Sequence, residues 1–159
     1  MRLVQLTAAL AIVAWAAAEW LRRRGPRNAE AAARILWTAG VLLLGAHTLA
    51  AFHFVHGWSH QAAADETARQ TAELIGLRWS GGVFVNYAFL AVWAADAGWW
   101  WVASASYRNR SRSIDTLVFF FFVFMFVNGA IVFAHGAMRL LGVAAVTIVL
   151  WSWYRSKRD

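Results

Sequence analysis

Four of the five histidines of this 159-residue chain, His47, His53, His56 and His60, fall in one short run, AHTLAAFHFVHGWSH. Imidazole is a common transition-metal ligand and titrates near neutral pH, so the run points to metal, haem or proton chemistry. On a helix, His53, His56 and His60 lie within about 60° of one another and form one stripe. His56 and His60 are four residues apart, the spacing that lets two imidazoles on one helix face share a metal. The fifth histidine, His135, lies in a later apolar segment at similar depth and is the natural further ligand. Asp65 and Glu66 follow the stripe and add oxygen donors.

Two cofactor readings follow. In one, His56, His60, His135 and Asp65 or Glu66 hold zinc, copper or non-haem iron. In the other, His53 or His56 pairs with His135 across a haem b held between helices. Either use would be electron transfer or metal handling. Asn86, Tyr87 and Asn128 are the expected hydrogen-bonding partners that would orient such ligands. His47 lies deeper and points roughly 120° away from His53, so it stands apart from this set. The bland alternative is an interfacial belt of histidine and tryptophan, with His47 hydrogen-bonding between helices. The spacing His56-x3-His60 resembles one histidine box of the membrane desaturases and hydroxylases. Those enzymes need several such boxes, and five histidines do not fill them.

The elements that must position these residues read as membrane spans. Apolar residues make up 61% of the chain and charged residues 14%, against about 45–50% and about 25% in soluble domains. A fold of this size cannot hide so much apolar surface from water, whereas a bilayer removes the need. The expected architecture is one all-α domain of five spans, near 3–21, 34–57, 83–103, 114–135 and 140–154. Four spans are the alternative. A single helix over 114–154 would reach roughly 60 Å, twice the hydrocarbon thickness, which favours a break near Gly136. Gly25-Pro26 ends the first segment and Asn28 is placed to cap the next. Residues 62–77 read as a helix lying at the outer interface, with Asp65 and Glu66 in its first turn.

Charge sets the expected orientation. Arg22, Arg23, Arg24, Arg27, Arg34, Arg108, Arg110, Arg112, Arg155, Lys157 and Arg158 make eleven of the fifteen basic residues. All of them fall on one side if the N-terminus is outside and the C-terminus cytoplasmic, as the positive-inside rule asks. The positive charge before the first span is too small for a secretory signal, so that span is expected to be retained in the inner (plasma) membrane. The net charge of +7 then faces anionic lipid and needs no nucleic acid. The chain has no cysteine, which excludes disulfides, thiolate ligands and cysteine nucleophiles. No phosphate-binding glycine loop, GxSxG, HExxH or CxxC motif is present.

Asp96 is the other polar residue placed inside a span, where a lone carboxylate is costly. It is either a proton or ion site, the centre of a small proton-coupled transporter, or the partner of a buried cation such as Arg34. His47 joins it as a candidate ion site. Glu19 and Asp115 lie near inner ends among arginines and read as structural. A third reading makes the protein a non-catalytic subunit of a larger membrane complex or a homo-oligomer.

Overall fold

The computed structural model of the chain describes residues 2–156 and 158, with the backbone alone for Arg27. Lys157 and the Arg27 side chain, counted above in the basic segments, lie outside the described residues. The described chain is all helical: α1 (Arg2–Arg24), α2 (Glu30–Phe54), α3 (His60–Ile75), α4 (Gly82–Val102), α5 (Ser104–Arg108), α6 (Arg112–Val127) and α7 (Ala137–Ser156). A 3-10 turn, Arg27–Ala29, leads into α2, and a π turn, Asn128–Val132, extends α6. Neighbouring helices follow the order α7–α1–α2–α4–α6 and back to α7, a closed ring of five.

Four segments are long and apolar enough to cross a membrane: Arg2–Arg24, Glu30–Phe54, Arg112–Val132 and Ala137–Ser156. The break before α7 is real. Gly136 takes φ 58°, a left-handed conformation that glycine adopts without a Cβ penalty. Helix α4 has 21 residues, but Asn86, Tyr87, Asp96 and four tryptophans temper its hydropathy.

Aromatic rings fill the middle of the ring of helices. Trp15 stacks on Phe126 at 4.1 Å and Trp37 on Phe122 at 4.9 Å. Trp93 meets Trp37, Phe122 and Phe126 within 6 Å. A Cβ on Gly40 would lie 2.4 Å from Trp93 Cζ2, so only glycine lets α2 approach α4 this closely. Trp37 is buried in this layer.

Several boundaries differ from the expected ones. Helix α2 stops at Phe54 instead of continuing to Gly57, because Gly57 and Trp58 both take positive φ (54° and 62°) and turn the chain. Helix α3 starts at His60, since the Ser59 hydroxyl caps it by accepting from the Ala62 amide at 3.1 Å. Asp65 and Glu66 therefore sit in its second turn, not its first. Asn28 makes no capping bond; it lies inside the 3-10 turn. The helical segment expected to reach His135 ends at Val132.

Candidate functional site

The early end of α2 disperses the expected histidine stripe. His53 stays on α2, His56 falls in the turn, and His60 opens α3. His53 is exposed, and its Nδ1 accepts from Trp58 Nε1 at 3.2 Å. His60 Nδ1 is 3.0 Å from the Tyr87 hydroxyl on α4, which ties the start of α3 to α4. His135 is exposed in the link between the π turn and α7. Asn128 donates to the Phe124 carbonyl at 2.7 Å, and Asp65 accepts from Gln61 at 3.0 Å. Among the described residues, no group of three or more His, Asp or Glu side chains lies close enough to hold a metal ion. The set His56, His60, His135, Asp65 and Glu66 forms no such group.

What the fold does assemble is a cavity of about 420 Å³ under α3, reached by α1, α2, α4, the π turn and α7. His47, His56, Glu66, Asn86 and Tyr87 all line it. Its apolar walls include Phe52, Phe89, Met125, Phe126 and Met138. Three devices shape it. The alanine face of α3 (Ala63, Ala64) packs on Val83, with Phe52 and Tyr87 beside it, and forms the roof. The π turn brings Gly129 and Ala130 to the wall, a common use of a wide turn at a working site. The same turn seats on Gly142 of α7, where a Cβ would lie 2.4 Å from the Ala130 carbonyl oxygen.

His47 is oriented by a backbone contact: its Nδ1 lies 2.9 Å from the Val4 carbonyl oxygen on α1. A carbonyl can only accept, so Nδ1 carries the proton. In neutral His47 the other nitrogen, Nε2, is then an acceptor, and no protein group binds it among the described residues. This is the arrangement by which a second partner fixes the tautomer of a ligand-binding histidine. Glu66 accepts from Arg69 Nε at 2.8 Å and from Gln70 at 2.7 Å. The Arg69 hydrogen bond holds its carboxyl below the usual range against partial burial, with Gln70 and the nearby His56 adding to the effect. Sequence reasoning set His47 aside from the other histidines. The structure makes it the best-oriented member of the group, because α1, which supplies its partner, is α2's neighbour in the ring.

Asp96 lies at the other end of the bundle. It accepts from Arg110 at 2.7 Å and from the Tyr107 hydroxyl at 2.9 Å, with both Asp96 and Arg110 buried. Arg34, its expected partner, instead donates to Ser104 Oγ at 3.0 Å and lies over the Trp101 ring. The pairing changes because the chain bends at Ala103 and returns Arg110 over α4. Burial pushes the Tyr107 phenol well above its usual range, so it remains a donor to Asp96. The same network takes in Asp115, which accepts from Arg110 at 2.6 Å and Arg22 at 2.8 Å. Glu19 accepts from Arg22 and from Arg23, each at 2.7 Å. The structural pairing expected for Glu19 and Asp115 is present, and Asp96 belongs to it.

The chain matches no protein-family model, no curated protein and no solved structure.

Proposed function

We propose that this is a five-span membrane protein, its basic end in the cytoplasm, that binds a lipid-soluble molecule in the cavity under α3. In this reading α4 crosses the inner membrane with the other four helices and α3 lies along the outer interface. The closed ring of α1, α2, α4, α6 and α7 supports five spans, because α4 packs directly on α2 and α6. The basic residues gather where α1, α4 and α7 end, which supports the orientation.

The observation that carries the ligand class is the Nε2 acceptor of His47, free of protein partners among the described residues, in a cavity whose walls include three Phe and two Met side chains. Of the polar groups that line it, His47 Nε2 and the Glu66 carboxylate accept, while the Asn86 amide and the Tyr87 hydroxyl can also donate. The matching ligand has an apolar body and a polar end that donates hydrogen bonds. A hydroxylated ring of the quinol type, stacked among Phe52, Phe89 and Phe126, has that form.

Titrating the purified protein with a short-tailed benzoquinol, followed by tryptophan fluorescence, tests the reading. Saturable binding is expected, weakened at least tenfold in His47→Leu. Leucine also removes the bond to Val4, so His56→Ala, whose side chain makes no hydrogen bond among the described residues, serves as the second variant. Failure of the wild type to bind the quinol would reject the ligand class. A Soret band in the purified protein, or a stoichiometric content of zinc, copper or iron, would overturn the reading in favour of a metal centre.

A further inference from the structure

The basic end holds a second cavity, of about 840 Å³, bounded by the last residues of α1, α4 and α7 and the first residues of α2 and α6. Arg22, Arg23, Arg108, Arg110 and Arg112 line it, with the carboxylates of Glu30 and Asp115. Glu30 is taken by Arg108 at 3.1 Å, and Asp115 by Arg22 and Arg110. Glu19 and Asp96 bind these arginines from behind. Among the described residues of this wall and those behind it, four carboxylates thus face five guanidinium groups, and one positive charge is left over.

Two observations locate the unmet demand. Arg112, in the first turn of α6, is exposed and has no ion-pair or hydrogen-bond partner among the described residues. Arg22, on the cavity wall, has a buried Nε with no acceptor, so its guanidinium is short of partners. The start of α6 adds amide groups that the helix itself cannot satisfy, of which the Ser111 hydroxyl takes only that of Ile114, at 3.3 Å. An anion with several acceptor oxygens answers the exposed Arg112 and the unpaired amides at the start of α6, beside the Arg22 guanidinium on the wall. Guanidinium groups suit phosphate oxygens best, because the planar fork binds two of them at once.

We propose that this cavity binds one phosphate group, with Arg112 as its principal contact and Arg22 behind it. The group is either the headgroup phosphate of an anionic phospholipid or a free phosphate ion. The site is independent of the cavity under α3.

The test measures the thermal unfolding midpoint of the full chain in neutral detergent. Phosphatidylglycerol, phosphatidylcholine and inorganic phosphate are added in turn. Phosphatidylglycerol is expected to raise the midpoint saturably and phosphatidylcholine is not. An equal rise with inorganic phosphate would identify the free ion as the source; a rise with phosphatidylglycerol alone would identify the lipid. Arg112→Gln is expected to weaken half-saturation at least tenfold. Arg155→Gln, which removes one charge at the same end outside the cavity, is expected to leave it unchanged. No shift with either phosphate source would overturn the proposal, as would equal losses in the two variants, which would mark a diffuse surface field.

Discussion

The two ends of the bundle treat polar groups in opposite ways. At the basic end, Glu19, Asp96, Asp115, Arg22, Arg23 and Arg110 bind one another through five ion pairs of 2.6–2.8 Å. Under α3 the polar groups are held by one or two neighbours each, His47 by Val4, His60 by Tyr87 and Glu66 by Arg69 and Gln70, and no network joins them. A buried charge survives only when its counter-charges are at hand, so the basic end is spent mainly on holding α1, α4, α5 and α6 together. A neutral imidazole costs far less to leave half-used. The residues with spare bonding capacity therefore lie under α3, and the residues with the largest energies lie at the other end.

The sharpest way to break this comparison is to remove one member from each end. Arg110→Leu strips Asp96 of its ion partner in a buried setting. A loss of about 3–5 kcal/mol of stability is expected, because the carboxylate is left uncompensated. His60→Ala, which removes a single exposed contact to Tyr87, should cost less than about 1.5 kcal/mol. Denaturant unfolding in detergent micelles reads both. Equal losses would mean that the ion-pair network does not hold the bundle and that the two ends are not distinct in kind.

Between the ends lies the aromatic layer of Trp15, Trp37, Trp93, Phe122 and Phe126, and Gly40 sets how tightly it closes. Gly40→Ala drives a methyl group to 2.4 Å from the Trp93 ring, an overpacking expected to cost about 1–3 kcal/mol. Gly45→Ala, on the same helix with nothing near its added Cβ, should be neutral or stabilising by up to about 1 kcal/mol. Similar effects at the two positions would show that α2 does not depend on close approach to α4, and that the layer is looser than the ring stacking implies.

How much of this was legible in the sequence depended on the range of the interaction. The helices followed from apolar runs of membrane length and from the breaks at Gly25-Pro26 and near Gly136, all local signals. The pairing of Glu19 and Asp115 with nearby arginines also followed, since their depth put them beside basic segments. Asp96 was marked as needing a partner, but Arg110 read as one more loop residue until the bend at Ala103 carried it back over α4. The histidine stripe failed for a smaller reason. Nothing in FHFVHGWSH interrupts a helix except Gly57, and the turn needs Trp58 to take positive φ as well, a choice for which a tryptophan gives no warning. His47 was undervalued because its importance rests on Val4, 43 residues away on a helix whose place in the ring no pattern encodes.

The smallest effect expected is at Glu66, and it tests whether the roof of the upper cavity belongs to the weak side of the comparison. Its pair with Arg69 is half exposed, so it should support α3 by no more than about 0.2–1 kcal/mol. Glu66 is held below its ordinary pKa in the folded protein, chiefly by the Arg69 hydrogen bond. Such a group contributes in full above its unfolded value near 4.5 and loses its contribution as the pH falls through the lower folded value. Many carboxylates titrate in that window, so the informative quantity is the stability difference between the wild type and Glu66→Gln. That difference should be small and constant above about pH 5 and shrink toward zero below about pH 4. A gap of several kcal/mol at neutral pH would instead class Glu66 with Asp96 as a buried charge held in place by its partner. Helix α3 would then be locked to the bundle as firmly as the ion pairs lock the basic end, and a ligand could not enter beneath it without breaking that lock.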